Sequence, residues 1–259
     1  MVSSFTAYRI AFNTILYKEI RRFMRIWQQT LLPPAITMTL YFIIFGNLIG
    51  SRIGEMSGLN YMSFIMPGLI MMSVINNAYS NVSSSFFSNK FQRSVEELLV
   101  APVPNSVILW GFVFGGVTRG ILTGIIVTFV ALFFTDVSVF NFWVLTSVIL
   151  LSSILFSLGG FINALYANKF DDVSIIPTFV LTPLSYLGGV FFSTDLLPEG
   201  WQVVAQFNPI LYMVNGFRYG MLGVSDVSLF ACFSILIGTI IVLYIYSMWL
   251  LKRGKGIRQ

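Results

Sequence analysis

The chain contains no histidine, a single cysteine and very little charge. Without histidine, neither a Ser/His/Asp nor a Cys/His catalytic set can be assembled. With Cys232 alone, disulfide frameworks and Cys/His metal sites within one chain are excluded as well. No G-x-x-x-x-G-K-[ST] segment occurs, so no P-loop can cradle a nucleotide. Charged residues make up 10% of the 259 positions, whereas a soluble domain carries about 25%. A water-facing surface cannot be built from so few charges. The 56% hydrophobic content and mean hydropathy of +0.84 make lipid the solvent for much of the chain. The first 25 residues hold five basic residues and no compact apolar core with a small-residue cleavage site. A cleaved signal peptide is therefore not expected.

The few charges punctuate long apolar runs. There are 26 uncharged residues between Arg25 and Arg52, 34 between Glu55 and Lys90, and 32 between Asp136 and Lys169. A helix needs about 20 residues to cross the hydrocarbon. The runs predict an all-α, polytopic membrane protein with six transmembrane helices near 31–50, 61–86, 107–134, 140–166, 172–193 and 227–251. An uncharged stretch over 200–217 is shorter and contains Asn208-Pro209, so a re-entrant hairpin over about 194–220 is expected there.

Six crossings put both termini on one side. Twelve basic residues then fall on that side, including Lys90, Arg93, Lys169, Lys252, Lys255 and Arg258, against Arg52 and Arg218 on the other. This asymmetry marks the side with the termini as cytoplasmic. It also accounts for the net charge of +5 without a nucleic-acid partner.

Residues 3–27 read differently. Phe5, Tyr8, Phe12, Leu16, Ile20, Phe23 and Trp27 recur every three or four positions, and Arg9, Lys18, Arg21, Arg22 and Arg25 lie mostly off that face. A basic amphipathic helix on the inner membrane surface is expected, ended before Pro33-Pro34 where the first span begins.

Between the second and third spans, Ser94 with Glu97 fits a capping box. Val95, Leu98 and Leu99 make a small apolar face, and Pro102 stops the helix. Such a helix suits docking on another protein; the alternative is a plain connector. Asp171 and Asp172 are adjacent, so they point about 100° apart and do not make an acid/base pair; a helix cap is expected instead. Arg119 falls within the third span, where a charge costs at least about 2.5 kcal/mol and must face protein or water. It either lines a transport path or ties helices together. Small-residue pairs such as Gly111/Gly115, Gly116/Gly120, Gly120/Gly124 and Gly216/Gly220 permit close helix approach.

The stretches Leu187-Gly188-Gly189-Val190-Phe191-Phe192-Ser193, Leu197-Pro198, Asn208-Pro209-Ile210-Leu211-Tyr212 and Gly216-Phe217-Arg218-Tyr219-Gly220 resemble the signature of ABC-2 type transport permeases. These are membrane subunits of one class of ABC exporter. The resemblance runs along nearly the whole chain. It includes Lys18-Glu19-Ile20-Arg21-Arg22-Phe23, Leu32-Pro33-Pro34, Glu96-Glu97-Leu98-Leu99-Val100-Ala101-Pro102 and Phe170-Asp171-Asp172-Val173-Ser174.

The resemblance implies a homodimer of six-span subunits in the bacterial inner membrane. Two copies of a separate ATP-binding subunit would bind beneath and hold the Mg-ATP, with no cofactor and no catalysis in this chain. It implies a coupling helix over about 94–102, with Ser94, Glu96, Glu97, Leu98, Leu99, Ala101 and Pro102 at the ATPase. The intramembrane or gate candidates are Arg119, from its place in the third span, and Pro198, Pro209, Tyr212 and Arg218, in the segment that resembles the family's re-entrant helices. Relatives export drugs, lipid-linked sugars or polysaccharides. A secondary transporter would call for an intramembrane carboxylate or inverted repeats, and neither is visible. A non-transporting scaffold would need neither the cytoplasmic helix nor Arg119.

Overall fold

A computed structural model describes residues 4–56 and 58–254; the side chains of Ser4, Asn47, Ser51 and Leu99 are not described. Residue 3, where the amphipathic helix was expected to start, and Lys255 and Arg258 of the basic set lie outside the described residues.

The chain opens with α1 (Ser4–Arg25) and a short α2 (Trp27–Thr30), followed by α3 (Leu32–Tyr41). Pro33 and Pro34 occupy the first turn of α3, where their missing N–H groups cost nothing. The helix continues through a π-helical stretch, Phe42–Ile49, into α4 (Gly50–Ile53). A two-residue hairpin, β1 (Glu55–Met56) with β2 (Leu59–Asn60), is antiparallel. Then come α5 (Tyr61–Phe91), α6 (Ser94–Val100), α7 (Asn105–Ala131) and α8 (Phe142–Tyr166). After these, α9 (Phe170–Ile176), a π turn (Pro177–Leu181) and α10 (Thr182–Leu187) form one interrupted helix. A 3₁₀ turn (Thr194–Leu196), α11 (Glu199–Gln206), α12 (Pro209–Leu222) and α13 (Leu229–Arg253) complete the chain.

Among the described residues, five helices are long and apolar enough to cross a membrane: Trp27–Gly46, α5, α7, α8 and α13. The fifth predicted span, 172–193, differs. It is helical only over Phe170–Leu187, carries two aspartates in its first turn, and is interrupted by the π turn that begins at Pro177. Gly188 and Gly189, the latter at φ +73°, then turn the chain away.

The centre of the molecule is α5. It is buried along nearly its whole length between α7 and α8. Close approach is made by the glycines. A Cβ on Gly116 would stand 2.6 Å from Val82 Cγ2 of α5, and one on Gly220 2.8 Å from the Leu145 backbone of α8. The glycine spacings seen in the sequence are thus the contact surfaces of α7 and α12.

The stripe expected to lay α1 on the membrane surface is only partly taken up by the bundle. Phe23 is fully buried, but Phe5 and Trp27 are 75% and 50% exposed. The seated face is instead Ile15, Glu19 and Phe23. A Cβ on Gly111 would meet Ile15 at 2.7 Å, and one on Gly115 would meet Glu19 at 2.6 Å. Two residues four apart on α1 therefore sit in two glycine notches four apart on α7.

Candidate functional site

One face of α5 presents Asn77, Asn81, Ser85 and Asn89, each one helical turn from the next. Every one of them holds a charged side chain from a neighbouring helix. Asn89 Oδ1 accepts from Lys18 Nζ at 2.9 Å. The Ser85 hydroxyl donates to Glu19 Oε1. The Asn81 carbonyl and Oδ1 both accept from Arg22 Nη2 at 2.9 Å, and its Nδ2 lies 3.4 Å from Glu19 Oε2. Asn77 Oδ1 accepts from Arg119 Nη2 at 3.0 Å.

Glu19 is 1% exposed and pairs with Arg22 at 3.7 Å. Burial raises its pKa, against the opposing pull of Arg22 and the Ser85 hydrogen bond. Sequence reasoning assigned Glu19 to no site and placed Arg22 only off the apolar face of the first helix. The signal that finds both is the four-residue spacing of polar side chains along α5.

The ladder ends at α6. Asn89 Oδ1 and the Asn89 carbonyl also accept from the Ser94 hydroxyl, each at 3.1 Å. Ser94 is therefore not the cap of α6, and the predicted capping box does not form. The residue before the helix is Arg93, in the left-handed region at φ 61°, and Ser94 spends its hydroxyl on the turn that links α6 back to α5.

Val95 is 1% exposed and packs into the bundle, and Leu98 lies half-buried beside it. The outward face of α6 is Glu96, Glu97 and Val100, the last 86% exposed. Ala101 leaves the helix in extended backbone, and Pro102 follows it. On the same end of the molecule, Lys90 Nζ donates to the carbonyls of Leu165 and Ala167 at 2.8 and 2.7 Å. There a cation meets the orphan carbonyls at the end of α8. Asp172 accepts from the backbone of Asn168 and Lys169, the capping role expected of that pair.

At the opposite end stands a second polar centre. Arg218 on α12 is fully buried. Its Nη2 donates to the Gly189 carbonyl at 2.6 Å, its Nε to the Phe64 carbonyl at 3.4 Å, and its guanidinium carbon lies 3.9 Å from the centre of the Phe64 ring. Arg218 thus joins α12, α5 and the turn after α10.

The predicted break at Asn208-Pro209 is present. Asn208 accepts from the Ile210 N–H and donates to the Leu184 carbonyl, while Pro209 opens α12. Pro198 immediately precedes α11, and the Tyr212 hydroxyl donates to the Gln206 carbonyl at 2.8 Å, closing the corner between α11 and α12. Helix α12 packs on α13, the sixth predicted span, and also on α8 and α5, where Gly216 and Gly220 fit the ridge formed by Val148 and Leu145 of α8. Pro198, Pro209, Tyr212 and Arg218 belong to this end; Arg119 lies mid-bundle, and the α6 residues lie at the far end.

Among the described residues no group of three metal-ligating side chains occurs. The family model for the ABC-2 type transporter matches residues 10–222. The inner membrane transport permease YadH of Escherichia coli strain K12 is 58% identical over 252 residues, 97% of this chain and 98% of that one. The YadH proteins of Escherichia coli O157:H7 and of Shigella flexneri match to the same extent. Glycine notches, a capped turn before α9 and a helix pair broken at Asn208-Pro209 thus occur in a chain that belongs to the ABC-2 type transporter family.

Proposed function

We propose that this chain is the membrane subunit of a bacterial ABC exporter in the inner membrane, moving an amphipathic substrate out of the cytoplasm. In this reading it crosses the membrane six times, with the interrupted helix Phe170–Leu187 as the fifth crossing and both termini inside. Residues 194–220 dip into the outer leaflet. Two copies pair, and two copies of a separate ATPase bind Mg-ATP beneath them; no cofactor resides in this chain.

The observation that carries the reading is the mounting of α6. A plain connector would leave Glu96, Glu97 and Val100 on a loose loop. Here their helix is fixed to α5 through Asn89 and Ser94, and α5 is fixed to α1 and α7 through the ladder. A helix held so firmly, with its acids and an exposed valine outward, suits a partner that pushes on it. Family membership supports an ATP-binding partner, and the name of the relatives supports transport across an inner membrane.

The test replaces Glu96 and Glu97 by Lys and Val100 by Asp. All three are exposed, so folding is expected to be unaffected. Co-purification of an ABC ATPase subunit co-expressed with this chain should be lost while the permease still inserts. Retained co-purification would reduce α6 to a connector.

A further inference from the structure

Arg119 has no carboxylate partner among the described residues. Its Nη2 touches the Thr30 carbonyl at 3.4 Å and Asn77 at 3.0 Å, both neutral, and its Nε has no hydrogen-bond partner. Glu19 is already engaged by Arg22, so the buried group of Glu19, Arg22 and Arg119 carries an excess positive charge. An uncompensated charge in a membrane interior is costly and is normally met by an opposite one.

Arg119 lines a pocket of about 310 Å³ between α2–α3, α5 and α7. Ser73 also lines it; this residue is 2% exposed, and its hydroxyl has no partner. Met38, Tyr41 and Met72 supply apolar wall. Beside the lining residues, Ile36 and Leu40 of α3 are 54% and 52% exposed, an apolar surface leading away from the pocket.

The geometry points to this pocket as a binding site for the anionic headgroup of an amphiphile, phosphate or carboxylate, whose apolar tail leaves along α3. The guanidinium supplies charge and fork-shaped donors, and Ser73 supplies a further donor. The volume lies at the low end for ligand pockets, roughly 300–1,000 Å³, which suits a headgroup and not a whole lipid. A cationic amphiphile would face Arg119 and Arg22 with like charge. A neutral one would leave the guanidinium unpaired. That the occupant is cargo rests on the transport reading above; that the pocket binds it does not.

The experiment uses the purified permease in detergent without any ATPase. Dihexanoyl phosphatidic acid, dihexanoyl phosphatidylcholine and inorganic phosphate are titrated separately and followed by native mass spectrometry and thermal shift. Phosphatidic acid is expected to saturate one site per chain. Phosphatidylcholine and inorganic phosphate should each bind about tenfold more weakly, for want of charge and of tail respectively. Arg119→Gln should weaken phosphatidic acid about tenfold to a hundredfold. Arg119→Lys should recover part of that loss, and Ser73→Ala should weaken binding a few-fold.

Equal binding of phosphatidic acid to wild type and Arg119→Gln overturns the site. Equal binding of phosphatidylcholine overturns the anionic assignment, and equal binding of inorganic phosphate overturns the amphiphile. If Arg119→Gln does not elute as the wild type, the comparison of Arg119→Lys and Ser73→Ala with wild type decides the same question. Loss of ATPase co-purification in the α6 variant leaves all these outcomes unchanged, so the two readings fail separately.

Discussion

Glu19 of α1 stands against Gly115 of α7 so closely that a Cβ on the glycine would fall 2.6 Å from the Glu19 Cβ. Replacement of Gly115 by Val should lift α1 from its notch and break the hydrogen bonds of Glu19 to Ser85 and Asn81 together. Overpacking of this kind costs about 1–3 kcal/mol. A lowered thermal midpoint of the purified protein, with faster tryptic cleavage around Arg21 and Arg25, is the expected result. An unchanged midpoint would mean that α1 is held elsewhere.

The carboxyl of Glu19 gives a pH dependence of definite sign. Its folded pKa is raised above the free value of 4.5 because burial outweighs Arg22, Lys18 and the hydrogen bonds of Ser85 and Asn81. The folded protein therefore holds this proton more tightly than the unfolded chain does. Stability from this group is full below the free pKa and falls as pH rises toward the folded value. Thermal midpoints of wild type should show that fall, and Glu19→Gln should lack it. Parallel profiles for the two proteins would contradict the assignment.

Arg218 predicts a different failure. In Arg218→Met the charge disappears, but the Gly189 carbonyl loses its 2.6 Å partner in a buried setting. One unsatisfied buried carbonyl costs about 1–3 kcal/mol. Proteolysis should appear first between Gly188 and Pro198, while cleavage near α6, at the other end of the bundle, stays as in wild type. Equal acceleration at both ends would mean that Arg218 supports the whole bundle and not this corner.

Topology is open to direct measurement, since Cys232 is buried and is the single cysteine. In a Cys232→Ser background, cysteines at Glu55, Asp136 or Glu199, all exposed, should react with an impermeant thiol reagent in intact cells. A cysteine at Lys169, exposed at the other end, should not. Labelling at Lys169 would reverse the orientation.

Much of the architecture was legible because lipid enforces it. The spans at α5, α7, α8 and α13 follow from long apolar runs, broken only by Arg119 in α7, and Asn208-Pro209 announces its own break by removing a donor. What the sequence hid were partnerships across distance. Apolar periodicity in α1 selected Phe5 and Trp27, which remain exposed, because a hydrophobic stripe does not distinguish lipid from protein. Glu19 was invisible as a core residue, since a buried carboxylate declares itself only through its partners Arg22, Asn81 and Ser85. For the same reason Val95 was read as part of a docking ridge, although it turns inward. Interruption of the Phe170–Leu187 helix was underestimated because a long uncharged run was counted without weighing its prolines.

The ladder also constrains how the protein is made. Helix α1 leaves the ribosome before α5 and α7, yet the partners of Lys18, Glu19 and Arg22 lie on α5, and the notches for Ile15 and Glu19 lie on α7. Until those helices have been synthesised and inserted, the charges of α1 have only water and lipid headgroups to satisfy them. A segment translated before α5 and α7 is therefore seated only after both. A ribosome-bound nascent chain stalled before α7 would carry α1 loose at the surface, and docking would become possible only once α7 has entered the bilayer.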